Sequence, residues 1–271
     1  GKEVVPAGQL LSHQGSIGSD GALAELRPKY SLTEVGLTQN IRSLIKKIPN
    51  EIARSSSIPN HVRERFSYRA TSHYGKNSAG FHIHLGLPKA LLGRKSALNA
   101  PSLNHLVRAL DWYVSVPTVP LETSPARRLG RGYGGYGKPG DYRLSRVTLE
   151  YRTPGASLLR HPKLTKGMLG TALAVTREFI SRIRSDSNEF SALEKITPKA
   201  LESIMPLPSP AKVKGILRDE NVKPAMSELD SLRTDIRTFA SYGYHKESIE
   251  EFFSLAEEQA RFSTEMMENW K

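Results

Sequence analysis

A chain of 271 residues, 38% of them hydrophobic, has the material to bury a core of its own, and no run of about eighteen apolar residues is present to span a membrane. The absence of cysteine excludes disulfides, thiol catalysis and thiolate zinc sites, and leaves His and carboxylates as metal ligands, a set that suits hard, oxygen-preferring ions. The net charge of +12 is uneven: residues 1–185 hold 28 Lys and Arg against 11 Asp and Glu, and residues 186–271 hold 11 against 16, so the first part attracts anions.

Val4 to Pro6 and Gln9 to Leu11 predict a short extended lead without the charged-then-apolar order of a signal peptide. Turn chemistry from Gly15 to Gly21 delivers a strand from Ala22 to Arg27, which Pro28 stops. Ser31 and Glu34 have the spacing of a capping box, and Val35, Ile41, Leu44, Ile45 and Ile48 give helical spacing as far as Pro49. Val62 to Ala70 predicts a strand feeding a loop at Gly75 to Gly80. Ser102 is expected to cap a helix that Pro117 and Pro120 end.

An arginine-rich stretch, Ser124 to Arg131, runs into the glycine-rich Gly130 to Gly137. Without a Gly-Lys-Ser/Thr ending this is no Walker A loop. It reads either as a surface loop or as backbone N–H groups with Arg127, Arg128 and Arg131 offered to an anion. A strand from Arg146 to Arg152 closes at Pro154, and Leu164 to Ile183 is an amphipathic helix. From Asp186 onward only helices are expected: Thr197-Pro198 opens one, Met205 to Pro210 links, and Lys212 to Arg218, Met226 to Phe239 and Ile249 to Trp270 follow. The last has an acidic side, read as a solvated face. The expected fold class is α+β: an antiparallel sheet with helices on one face over residues 1–185, then an all-helical region over 186–271.

The chemistry collects on strands. In Phe81 to Leu87 two histidines occupy alternate positions, so His82 and His84 share one face while Phe81, Ile83 and Leu85 pack on the other. Leu149-Glu150-Tyr151-Arg152 repeats the pattern with a carboxylate and a guanidinium, as does Ala24-Glu25-Leu26-Arg27. A half-buried strand with hydrogen-bonded imidazoles is one reading, and the lined face of a binding sheet is the other.

Two longer motifs, Ser78 to Gly86 and Leu149 to Pro154, together with Gly18 to Gly21, Glu25 to Pro28 and Tyr136 to Arg143, resemble the phage type 2 COOH·NH2 ligases. These form a branch of the carboxylate–amine ligase superfamily that includes glutamine synthetase and glutamate–cysteine ligase. The resemblance covers about residues 5–160. It implies a glutamine-synthetase-like antiparallel sheet that binds ATP and Mg²⁺ or Mn²⁺, phosphoryl transfer to a carboxylate, and displacement of phosphate from the acyl phosphate by an amine. It implies Glu25, His82 and Glu150 as metal ligands and His84 as a contact either of the nucleotide or of a metal-ligating side chain. Arg128, Arg131, Arg143 and Arg152 would be the catalytic arginines that hold phosphate or substrate carboxylate, with Arg143 and Arg152 also touching the nucleotide. Asp20 is left between metal ligand and turn cap. The family's usual acidic first strand ahead of Val5-Pro6-Ala7 is not in this sequence, which implies fewer metal-binding carboxylates. Expected partners are carboxylate and amine substrates, in the host cytoplasm. The alternative is a virion structural or assembly protein that keeps the fold without the chemistry and binds other virion proteins. Nucleic acid ranks third, because aromatic–basic interleaving is confined to Arg65–Tyr74 and the glycine loop.

Overall fold

The chain was analysed as a computed structural model, which describes residues 5–54, 59, 61, 66–92, 96–145, 147–186 and 196–271. Alternation of apolar and polar residues produces its main sheet. Strand β5 (Ile83–Gly86) pairs antiparallel with β7 (Thr148–Tyr151), which pairs on its other side with β6 (Tyr142–Leu144). Across the three strands Leu85, Leu149 and Leu144 form one row and Ile83, Tyr151 and Tyr142 another, both facing the core; His84, Glu150 and Arg143 form the row between them on the opposite face. Two hairpins stand apart from this sheet: β1 (Ile17–Asp20) with β2 (Leu23–Leu26), and β3 (His73–Tyr74) with β4 (Asn77–Ser78).

Helices cover the apolar face: α1 (Glu34–Ile45), α2 (Ile48–Ala53), α3 (Lys89–Leu92), α4 (Ser96–Leu110), α5 (Val116–Thr118) and the long α6 (Pro162–Asp186). Beyond it come α7 (Pro198–Ile204), α8 (Pro210–Leu217), α9 (Lys223–Met226), α10 (Leu229–Arg237), α11 (Tyr242–Glu257) and α12 (Met266–Asn269). Helix α11 lies along α6, and the close crossing depends on Gly167, where a Cβ would come within 2.4 Å of Phe252 Cβ. One apolar cluster runs from Ile17 to Trp270, so the C-terminal helices share the core of the sheet. Among the described residues no helix is long and apolar enough to cross a membrane.

The mixed α+β class agrees with the sequence reading, and several elements depart from it. The lead is a 3₁₀ turn, Ala7–Gln9, whose first amides bond the Gly21 and Ala22 carbonyls. A strand occupies Ile17–Asp20, where a turn was expected, because Ile17 packs inward and buried Ser19 satisfies its hydroxyl on the Leu11 carbonyl at 3.1 Å. Thr33 rather than Ser31 caps α1, accepting from Gly36 N at 3.1 Å. Ser102 does not cap its helix, because α4 already begins at Ser96 and holds Pro101 and Ser102 inside it, and the helical path passes Pro117 and Pro120 before it ends. A π-helical turn over Asp111–Ser115 widens the backbone just before Pro117, and a 3₁₀ turn carries the chain on to Leu121. The expected helix Ile249 to Trp270 breaks after Glu257. Gln259 takes φ +49°, and the Ala260 and Gln259 amides bond the Leu255 and Ala256 carbonyls, a Schellman ending without glycine. The chain then runs extended beside Tyr68–Ala70, with Met266 N on the Tyr68 carbonyl at 2.8 Å. Residues 62–65 of the expected strand Val62 to Ala70 and Arg146 of the expected strand Arg146 to Arg152 lie outside the described residues, and 66–70 hold a single bridge at Arg69 in place of a strand.

Candidate active site

Glu150 stands at the centre of the sheet's polar row, and only 2% of its side chain is exposed. Arg143 Nε donates to its Oε2 at 2.6 Å from the neighbouring strand, with 66% of that arginine's side chain in solvent. His82, one residue before β5, brings Nδ1 to 3.1 Å from Oε1. Arg152 Nε lies 3.4 Å from the same oxygen, near enough for charge pairing yet buried without an aligned hydrogen-bond acceptor. His84 stays exposed, its Nδ1 3.4 Å from Thr148 Oγ1.

A second layer fixes these groups. Arg152 stacks on the Tyr136 ring at 4.7 Å and faces Asp141, whose Oδ2 accepts from Gly137 N at 3.0 Å, so the glycine-rich loop folds against the sheet. Arg127 is 1% exposed and donates to the carbonyls of Arg152 at 2.7 Å and Pro154 at 3.3 Å. Its space is made by glycines: a Cβ at Gly137, itself at φ +80°, would lie 2.6 Å from Arg127 Nε, and one at Gly80 would lie 2.5 Å from His82 Nε2. Asp111, on the π turn, anchors both β7 and the loop's exit. It accepts from Tyr151 Oη at 2.6 Å, Thr153 Oγ1 at 2.9 Å and Gly140 N at 2.6 Å.

The electrostatics follow from burial and from an excess of guanidinium. Burial, then the Arg127 and Arg152 charges, hold His82 down at about 4 against the pull of Glu150, so its imidazole is neutral at pH 7. Burial lowers Arg127 only to about 10, which leaves it cationic. Arg127, Arg128, Arg143 and Arg152 thus stand against three carboxylates, Glu150, Asp141 and Glu122, the last set between Arg127 and Arg128 and pushed up to about 7 by burial, and the residual positive charge opens onto the exposed face through Arg143. That balance suits an anionic group such as phosphate or carboxylate.

The structure brings together Glu150, His82, Arg143 and Arg152, with His84 alongside, and does not bring the other named residues to them. Glu25 lies on the separate β2 hairpin and pairs with Arg27. Among the described residues no group of three His, Asp or Glu side chains is placed to hold a metal, so Glu25, His82 and Glu150 do not form one ligand set. Asp20 is exposed at the end of β1, beside the Gly21 turn. Arg128 is buried on Glu122 Oε2 at 3.2 Å, the Leu217 carbonyl at 2.9 Å and the Asp219 carbonyl, and Arg131 pairs with Glu220. These two arginines tie the glycine loop to the C-terminal helices instead of facing the sheet. Sequence reading passed over Asp111, whose only signal is a lone carboxylate inside Ala109-Leu110-Asp111-Trp112-Tyr113.

A family model described as phage phiEco32-like COOH.NH2 ligase-type 2 matches residues 1–196. No curated protein and no solved structure gives a significant match.

Proposed function

From the premise that the chain belongs to the phage phiEco32-like COOH.NH2 ligase-type 2 family, a family of carboxylate–amine ligases, we propose that its sheet face joins a carboxylate to an amine at the expense of ATP. The observation that carries this reading is the buried Glu150 ringed by Arg143, Arg152 and neutral His82 on an otherwise open strand row. In the proposed reaction the γ-phosphoryl group passes to the substrate carboxylate, and the amine then displaces phosphate, leaving an amide, ADP and phosphate. Arg143 and Arg152 hold the transferring phosphoryl oxygens or the carboxylate, where fixed guanidinium donors offset charge that grows in the transition state. His84, exposed beside them, touches the nucleotide, and Arg127 keeps Arg152 in place through its carbonyl.

Mg²⁺ or Mn²⁺ would be the metal of this reading. Such ions are commonly bound by one or two protein carboxylates plus phosphate oxygens and water, and Glu150 is the carboxylate of this cluster that would hold one, with the unprotonated His82 beside it. The metal, when bound, screens the triphosphate and polarises the phosphoryl group. Glu25 has no part in this set. The place of action is the host cytoplasm.

A second reading, a virion or assembly protein that keeps the fold without catalysis, is favoured by Arg128 and Arg131, both of which are committed to protein partners. Phosphate release with ATP, Mg²⁺ and a mixture of amino acids and short peptides separates the two. Amine-dependent release that Glu150→Gln abolishes supports the ligase. Background rates from folded protein, with no nucleotide binding, leave the assembly role.

A further inference from the structure

Away from the sheet's polar face, where α1, α6 and α11 meet, a groove of 590 Å³ is lined by Thr33, Glu34, Val35, Arg177, Tyr244 and His245. Apolar surface stands open at its mouth. Val35 and Tyr244 on the lining, and Leu32 and Tyr30 on the lead into α1, are between 51% and 92% exposed. Seven large apolar side chains are exposed among the described residues, and four of them gather here, which marks an interaction surface rather than a scatter of single residues. The one carboxylate of the lining, Glu34, is buried and already accepts from His245 and Ser248. Arg177 is exposed and has donors to spare. Of the five N–H bonds that a guanidinium holds, it gives one to His245 Nε2 at 2.8 Å and one to the Leu32 carbonyl at 3.2 Å, and it pairs with no carboxylate among the described residues.

We propose that this groove docks the C-terminal end of a polypeptide, with the terminal carboxylate on Arg177 and apolar last side chains against Val35, Tyr244 and Leu32. Charge complementarity selects the carboxylate. The free edge of a guanidinium matches the two oxygens of a carboxylate, whereas an ammonium group would meet a like charge and find Glu34 closed off beneath it. The extent of the patch selects a peptide over a small acid, because the apolar surface continues past the lined volume through Leu32 to Tyr30. A second copy of the chain fits less well, since a twofold contact centred here would set Arg177 against its own image with no free acid between them. The Glu34 network lies under the groove as its support: through His245 it holds Arg177 in place without touching the ligand. The groove shares no residue with the Glu150 cluster, so its occupancy is independent of the ligase reading.

The probe is the peptide acetyl-Ala-Leu-Phe with a free C-terminus, titrated into the full chain while the methyl resonances of Leu32 and Val35 are followed by NMR. The same peptide with an amidated end, and acetyl-Ala-Ser-Ser with a free end, are the controls. The expected result is saturable shifts of both methyls with the first peptide and binding weaker by about tenfold or more for each control. Val35→Asp sets a like charge beside the carboxylate and should weaken binding as much, without lowering the melting temperature, because an acid in the first turn of α1 complements the helix dipole. Arg177→Gln, checked for fold by circular dichroism, should bind the acid and the amide alike. Equal binding of acid and amide by the parent, unchanged binding in Val35→Asp, or no shift at millimolar peptide would each overturn the proposal. So would a concentration-dependent dimer, seen by sedimentation, that Tyr244→Ala dissociates, since the face would then belong to a second copy.

Discussion

Two regions of the molecule contain a buried glutamate beside a histidine and an arginine, and they are wired in opposite ways. At the junction of α1, α6 and α11, Glu34 accepts from His245 Nδ1 at 2.8 Å and Ser248 Oγ at 2.9 Å, while Arg177 Nη1 donates to His245 Nε2 at 2.8 Å. Every acceptor there has its donor. The hydrogen bonds, with that from His245 foremost, outweigh burial and keep Glu34 below the ordinary carboxylate value. On the sheet, Glu150 faces two guanidiniums and a neutral imidazole, one guanidinium mostly in solvent and the other with an unaligned Nε. Identical residue types thus make a closed structural network in one place and an unfinished, cation-rich one in the other. What distinguishes a site is the unspent capacity, not the inventory of residues.

The sharpest way to break the comparison is Glu34→Ala. Removing the shared acceptor leaves His245 Nδ1 and Ser248 Oγ buried without a partner, and the expected loss is about 3–5 kcal/mol in denaturant unfolding, with activity per folded molecule unchanged. A variant of parental stability would mean that the junction relaxes or admits water, and the two networks would not differ as argued. Next in size is Glu150→Gln. Its loss is expected in rate, about 10²–10³-fold in amine-dependent phosphate release, with a small stability change because Arg143 can turn to water. If unfolding shifts as far as in Glu34→Ala while nucleotide still binds, Glu150 is a structural ion-pair partner.

How legible each network was follows from the range of its contacts. The Glu150 row could be read because alternation in β5 and β7 is a local property, and the expected sharing of a face by His84 and Glu150 is realised through the strand register. Glu34 could not. Its position after Ser31 imitates a capping box, whereas its real partners sit 211 and 214 residues away. Arg128 was misplaced for a related reason: two of its three acceptors are backbone carbonyls, at Leu217 and Asp219, which carry no sequence signature. Strand β1 was hidden by its Gly-Ser-Asp composition, and the break after Glu257 by a left-handed residue that is not glycine. Local periodicity predicted helix α6 nearly to its ends, while everything that depends on which distant surface a side chain meets remained out of reach.

Asp111 sharpens the comparison by removing the arginine from it. It has three donors and no cation, and burial pushes it from 3.8 up to about 7. An acid raised in the fold makes the native state bind the proton more tightly than the unfolded chain between those values. Its contribution is therefore whole at low pH, declines as pH climbs from about 4 to 7, and changes no further above that. Asp111→Asn should flatten this slope. The amide would also present a donor to Gly140 N–H, with an expected cost of about 1–3 kcal/mol. Unfolding measured across that pH range checks both; an unaltered slope would assign the pH dependence to other groups.

The smallest expected effect lies at Glu250, where the arginines return but the burial is slight. Glu250 accepts from Arg233 at 2.6 Å, Arg237 at 2.7 Å and Tyr242 Oη at 2.6 Å, and these bonds, Arg237's first, outweigh desolvation and hold it at about 2 against an ordinary 4.5. The sign is the reverse of Asp111. A depressed acid contributes fully above 4.5, and the contribution is lost as pH falls through about 2. Solvent and salt reach this cluster, so Glu250→Gln should lower the melting temperature at neutral pH by no more than about 2–4 °C, and less in high salt. The parent and variant curves should converge as pH approaches 2. A gap that persists at that pH, or that ignores salt, would mean that Glu250 acts through packing of α10 on α11 rather than through its charge. The exposed cluster would then belong with the closed network at Glu34, and the number of arginines around a carboxylate would say nothing about what the carboxylate does.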